Sequence, residues 1–467
     1  MFRLMEAVLL RSLVVARFWL NEGHTLPGMH YLIGYWLESR GRFGQAVVAY
    51  ERALASADRS SNRRMFKVRQ KWQFALERVY HAEGKPRVYD PLFECQAQPR
   101  EEKRVSSLRR RIAIGYYRTE WKHRGLSVLG FLNRKNGPAT VCVYANSVLM
   151  RQIRVSRGPL FPSYFQLSMS RAAIAALPPA SRLRVEFSDG TPLLCEGCEE
   201  VDLILPHGSG TVCGNGASPV LDKKGFLLSK GDSLKARQSA YLEVYAKARE
   251  IFEREFGTPL ILLYGTLLGQ HRGGDFIPGD DDFDVGYVSL ETSPEGVKEE
   301  AKEMVLSLVG AGFTVTFNRG GRLFRLRHAC SRPDGHLDVH AIWFDGGKAW
   351  IHPQACLACV REDFLPARLA QLRGVRVQVP RRPEAFLEAY YGEGWRIPDP
   401  AYSTAASRVP RRIKRHLARA CVTPIEYSNM QRQLNDSKSA STTPGRLISI
   451  GSFSLYPLEE YEVNCDW

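Results

Sequence analysis

Four aspartates fall in five positions, Asp280, Asp281, Asp282 and Asp284, with Phe276-Ile277 shortly before them and Val285 directly after. Carboxylates wedged between apolar residues are costly unless they are paired or hold a cation. Upstream, Leu260 to Tyr264 is a short apolar run that reads as a buried strand. Gly265 and Thr266 end it and open a helix. A glycine there lets backbone N–H groups approach a phosphate, and a helix N-terminus favours an anion. After Gly273-Gly274 and Pro278 a second strand begins in acid. Side chains alternate along a strand, which places Asp280, Asp282 and Asp284 on one face. Hard oxygen ligands at that spacing suit Mg²⁺ or Mn²⁺. A phosphate cradle beside a divalent-metal site is the equipment for moving a phosphoryl-type group. A solvated acidic loop is the plainer alternative, and the apolar flanks weigh against it.

A third carboxylate follows in Leu337-Asp338-Val339, an isolated acid in an apolar strand pattern. With Asp282 and Asp284 it completes a set able to hold one or two Mg²⁺, and one member can serve as general base. Asp280 joins them as a candidate metal ligand. His340 shares the face of Asp338 and stands open between a ligand and a packed histidine. Arg325 and Arg327 alternate on a strand between the two acidic elements, and Arg272 follows the glycine-led helix. Guanidinium forks match phosphate oxygens, so these three are candidates for a donor's diphosphate. Salt bridging to the aspartates is the competing role.

The rest of the chain separates by pattern. At 467 residues, 44% apolar and 10% aromatic, it holds two or three domains with real cores. Residues 1–98 read as helices: Met1 to Trp19, a pair around Leu32–Leu37 and Ala46–Ala53 with a turn at Gly41, and Phe66 to Ala82. The pair resembles one tetratricopeptide repeat, which makes this domain either a packing unit or a docking surface for a protein partner. Residues 99–112 are a basic linker. Residues 113–206 carry short alternating strands, such as Thr140–Tyr144, Leu149–Val155, Tyr164–Leu167 and Leu183–Phe187, with a helical run from Arg171 to Ala176. Their spacing suggests a β-sandwich-like domain. After a Gly/Ser/Asn-rich linker, residues 221–400 mix helices and strands in an α/β or α+β pattern. Ser233 to Phe256 is an amphipathic helix leading into the acidic stretch. Residues 401–467 read as a basic helix, Arg411–Arg419, and a Ser/Thr-rich disordered tail.

Lys+Arg outnumber Asp+Glu by 65 to 49, a formal +16, which favours polyanionic partners: nucleic acid, anionic lipid or phosphorylated substrates. The basic helix either lies on an anionic membrane surface or is simply solvated. Ten cysteines include two distant CxxC pairs, Cys195/Cys198 and Cys356/Cys359, read as reduced thiols in preference to a zinc or redox site. Residues 5–20 are interrupted by Glu6, Arg11 and Arg17, so no secretory signal or membrane span is expected. A cytoplasmic location fits, with peripheral contact at the inner membrane left open.

Tyr264-Gly265-Thr266-Leu267-Leu268-Gly269, Arg272, Phe276-Ile277-Pro278 and Asp280 to Val285 together resemble the signature of the LicD/fukutin family. Val377–Pro380, Pro383–Leu387, Tyr390-Tyr391-Gly392, Trp395 and Pro398 resemble its closing motif. The family usually carries Trp directly before the acidic run, and this chain has Gly279. The resemblance, over roughly residues 235–400, implies a nucleotidyltransferase-like fold and a Mg²⁺-dependent phosphotransferase. Such an enzyme would move phosphocholine or a pentitol or glycerol phosphate from a CDP-linked donor to a glycan hydroxyl. Gly265 and Thr266 would form the phosphate-side loop, Asp282 and Asp284 the metal pair and Asp338 the third acid. Two rivals stand beside it: a nucleotidyltransferase acting on RNA or a small molecule, and a scaffold with a vestigial site.

Overall fold

The computed structural model describes residues 27–58, 63–111, 113–132, 140–155, 163–212, 219–222, 224–228, 232–278, 280, 282–318, 320–322, 324–328, 331, 335–398, 409–437, 445–449 and 454–464. The expected helix from Met1 to Trp19 and the Ser/Thr-rich stretch 438–443 lie outside the described residues. The chain divides into two compact units, Met1–Ala55 with Gln70–Ser229, and Ser56–Arg69 with Lys230–Trp467.

The first unit opens with helices α1 (Pro27–Glu38), α2 (Phe43–Asp58) and α3 (Arg63–Ala82), apart from their residues 56–69. Gly41, at φ +68°, makes the left-handed turn between α1 and α2. A Cβ at Gly34 would stand 2.6 Å from the Tyr50 ring, so the missing side chain lets the first two helices close up. Leu37, Ala46, Tyr50, Ala75, Leu76 and Val79 form the shared core. Glu38 takes a hydrogen bond from Tyr50 Oη and an ion pair from Arg78, both at 2.7 Å.

The strands of the β-rich part pair with one another antiparallel. Strands β1 (Gln96–Pro99), β4 (Thr140–Ala145), β5 (Val148–Arg154), β7 (Ala180–Phe187) and β8 (Glu200–Ile204) form a five-stranded sheet in the order β1-β8-β7-β4-β5. Strands β2 (Gly115–Lys122), β3 (Gly125–Leu132) and β6 (Tyr164–Ser170) form a second sheet. Burial alternates residue by residue along β7, the pattern of a half-covered strand. Asp90 is fully covered and takes two parallel bonds of 2.7 Å from Arg171, which also donates from Nε to the His123 carbonyl at 2.6 Å. Asp90 accepts a further bond from the Leu92 N–H. Cys195 and Cys198 face each other across a tight hairpin as free thiols, and burial pushes Cys195 up to about 12.

The second unit is built on a ten-stranded mixed sheet. Its main path runs β16 (Arg368–Leu372), β17 (Val375–Val379), β9 (Ile261–Leu262), β10 (Asp284–Val288), β13 (Leu337–Asp345), β12 (Phe324–His328), β11 (Phe313–Phe317), β18 (Arg446–Ser449). Hairpin strands β14 (Lys348–Ile351) and β15 (Ala355–Leu357) continue from β13. Helices α4 (Asp232–Glu255), α5 (Tyr264–Gly273), α6 (Pro294–Gly310) and α7 (Pro383–Tyr391) flank it. Tyr241, Tyr245, Phe252, Phe283, Trp343 and Phe386 are among its buried core residues.

Two expectations change here. The acidic strand begins only at Asp284; Asp280 and Asp282 precede it in irregular backbone, so strand alternation does not align the three. The Asp280 N–H turns back to the Ile277 carbonyl at 3.0 Å instead of joining a ladder. The domain also does not end at residue 400. Helices α8 (Arg411–Leu417) and α9 (Pro424–Ser437) fold back, and β18 adds a parallel edge to β11. In α8, Arg411, Arg412, Lys414 and Arg415 are exposed while Leu417 is buried in the core. His416 stands 4.2 Å from the Trp350 ring. The tail is thus held by an apolar side that its charge run conceals. Among the described residues no helix is long and apolar enough to cross a membrane.

Candidate active site

The site grows from one row of the sheet. In the parallel pair β10–β13, Asp284 stands opposite Asp338, and in the antiparallel pair β12–β13, Arg325 stands opposite the same Asp338. Residues directly opposite point to the same face, so two acids and an arginine line up across three strands. Arg325 Nε donates to Asp338 Oδ1 at 2.9 Å. His340, two residues along β13, shares that face and reaches Asp284 Oδ1 with Nε2 at 3.0 Å. Gly286 lies opposite His340, and a Cβ there would meet Leu263 Cδ1 at 2.5 Å and the His340 carbonyl at 3.1 Å.

Electrostatics follow from the crowding. Burial raises the Asp284 pKa, the charges of Asp282 and Asp338 raise it further, and His340 opposes them. Burial disfavours the charge on His340. The Asp284 hydrogen bond and charge, the His352 carbonyl and Asp338 outweigh it and hold its pKa above the ordinary value. Each group thus offsets part of the cost of burying the other.

Helix α5 supplies the second wall. Tyr264 opens it at φ +46°, a conformation rare for a non-glycine residue, with its ring edge-on to His340 at 5.0 Å and to Tyr390 at 4.6 Å. A Cβ at Gly265 would lie 2.8 Å from Asp280 Oδ2, and one at Gly269 would lie 2.6 Å from the Asp275 carbonyl. Both glycines thus let the segment 275–280 cross the helix closely. The buried Thr266 hydroxyl accepts from the Asp284 N–H at 2.9 Å, pinning the helix start to the acidic strand.

The candidates therefore divide. Asp282, Asp284, Asp338, Arg325 and His340 come together. Gly265 and Thr266 border them, with Asp280 against the helix start. Arg327 sits two residues beyond Arg325 on β12, opposite Thr314. Arg272 lies at the far end of α5, about 12 Å along the axis from its start, and donates to the Trp395 carbonyl of the closing motif. Sequence reasoning missed Gln238 and Arg373. Gln238 Nε2 donates to the Asp280 carbonyl at 3.2 Å, and Arg373 donates to Gln238 Oε1 at 3.0 Å and pairs with Asp275 at 2.7 Å. Their only signal was polarity within an amphipathic helix and a strand turn. It also missed His352.

Among the described residues, no three His, Cys, Asp or Glu side chains stand as a ready-made ligand set. Asp338 is drawn to Arg325 and Asp284 to His340. The donor chemistry nevertheless suits a hard divalent ion: carboxylate oxygens on adjoining segments, whose mutual repulsion already burdens Asp284.

No curated protein matches the chain. Residues 257–382 match the family model described as LicD/FKTN/FKRP, nucleotidyltransferase domain, which spans the row of acids, the glycine-led helix and both β12 arginines. Over that region the chain is similar to the LicD family, a family of phosphotransferase type.

Proposed function

We propose that this protein transfers a phosphorylated group, of the phosphocholine or pentitol or glycerol phosphate type, from a CDP-linked donor to a glycan hydroxyl with Mg²⁺ (or Mn²⁺). The observation that carries this is the Asp284–Asp338 register pair, with Asp282 close enough to raise the Asp284 pKa, inside the family match. Asp282, Asp284 and Asp338 would hold the ion, which supplies charge neutralisation on the phosphate oxygens. The acceptor oxygen attacks the β-phosphorus. The bond to the bridging oxygen breaks, and CMP leaves with it. Asp338, oriented by Arg325, accepts the hydroxyl proton. Arg325 and Arg327 place positive charge on the neighbouring strand, which favours an anionic donor. Thr266 keeps the helix start in register with Asp284, so positioning and electrostatics carry the rate.

The test is incubation of purified protein with CDP-choline, CDP-ribitol and CDP-glycerol, Mg²⁺ and a glycan acceptor, following CMP. Release with one donor, abolished by EDTA, is expected. A folded protein that releases no CMP from any of them sinks the proposal.

A further inference from the structure

Behind Asp284 lies a second layer that reaches beyond the family match. His340 Nδ1 is 3.0 Å from the His352 carbonyl. A carbonyl only accepts, so Nδ1 carries the hydrogen and Nε2 is left to face Asp284. His352 is itself fixed at several atoms. Its N–H donates to the Ala341 carbonyl at 3.0 Å, and its Nδ1 donates to the Leu417 carbonyl at 3.0 Å. Its Nε2 lies 4.0 Å from Cys421 Sγ. His340 and His352 are 5% and 2% exposed, so solvent does not compete for these bonds. Leu417 and Cys421 belong to the C-terminal segment, well past residue 382. A run of hydrogen bonds thus joins the end of α8 to the carboxylate of β10.

We infer that His340 is a positioning residue for Asp284, and that residues 417–421 fix it in place through His352. A carboxylate crowded by Asp282 and Asp338 needs a fixed partner to keep one oxygen turned away from its neighbours. His340 supplies that partner, and the His352 carbonyl sets its tautomer and ring plane. The role rests on the proposed reading of Asp284 as a reacting-site carboxylate. The C-terminal segment thereby belongs to the catalytic machinery.

Three variants test it, each with kcat, donor KM, Mn²⁺ binding by electron paramagnetic resonance and a thermal melt. His340→Leu should lower kcat about 100-fold and weaken Mn²⁺ binding about 10-fold or more, with donor KM within about 3-fold. His340→Gln, whose amide can still donate to Asp284, should recover about 10-fold of that loss. His352→Leu should lower kcat about 10-fold with the same split. A structural role alone would lower the melting temperature without moving kcat per folded molecule. If His340→Leu keeps kcat and Mn²⁺ binding within about 3-fold of the wild type, the positioning role is wrong. If His352→Leu does, the link to the C-terminal segment is wrong.

If the wild type releases CMP from no donor, Mn²⁺ binding and proton NMR of ¹⁵N-histidine-labelled protein decide the matter separately. A downfield imidazole N–H resonance lost in both Asp284→Asn and His340→Gln supports the inference, and its absence from the wild type overturns it. Should His340→Leu fail to fold, the same two measurements on His340→Gln decide.

Discussion

Each unit of the molecule buries an arginine against an aspartate, and the two pairs are built to opposite ends. In the first, Arg171 grips both oxygens of Asp90, gives its Nε to a carbonyl and faces no second acid in the bonds it makes. In the second, Arg325 bonds Asp338 through Nε, and Asp338 stands beside Asp284 in the next strand. The first closes a charge balance and works as a staple. The second sits in a crowd: Asp284 takes His340 as its own partner, and Asp282 and Asp338 both raise its pKa.

Mutation should separate the two. The largest effect is expected at the second pair. Asp284→Asn or Asp338→Asn should cut transfer about 1,000-fold or more, and the Asp284 change should leave the melting temperature equal or higher because a repelled buried charge is removed. A fall in stability matching that of Asp90→Ala would break the contrast. Next, Asp90→Ala strands Arg171 and should cost about 3–5 kcal/mol in urea unfolding, with turnover per folded molecule unchanged.

Smaller effects sharpen the picture. Gly269→Ala meets backbone at 2.6 and 2.8 Å and should cost about 1–3 kcal/mol. Gly265→Ala meets only the end of the Asp280 side chain, so it should move that carboxylate and lower turnover while changing stability by under about 1 kcal/mol. Smallest is Glu426, which closes a capping box with Thr423 and bonds Lys298 at 2.6 Å. Burial opposes its charge, but Lys298 and Thr423 win and bring it to about 2. A depressed folded value gives stability that is present above the unfolded value of about 4.3 and lost as pH falls toward 2. Glu426→Gln should therefore cost about 1 kcal/mol at neutral pH, and the difference should vanish in acid; a gap unchanged at pH 3 would exclude the linkage.

Much of this was legible beforehand because it rests on periodicity. The expected helix Ser233–Phe256 appears as Asp232–Glu255, and the strand expected at Thr140–Tyr144 as Thr140–Ala145. Asp338 was legible because an acid between apolar neighbours is rare in a strand. The alignment of Asp280 and Asp282 was not, because turn hydrogen bonds at Ile277 replace the ladder there. The glycines of the motif read as room for a phosphate, yet the space they leave is filled by the chain's own return path. The hold of His352 on the Leu417 carbonyl spans 65 positions, and no local pattern announces it. Likewise, the two buried residues that seat β18, Leu447 and Ile448, are too short a run to outweigh the basic and Ser/Thr-rich segments before it.

The placement of β18 has a practical corollary. A fragment cut where the family match stops, at residue 382, would strip the sheet of its last strand and leave the β18-facing N–H and C=O groups along Thr314 to Phe317 toward water. Such an uncovered edge recruits other chains. Preparations trimmed to that boundary should clump or swap strands, however intact their aspartates.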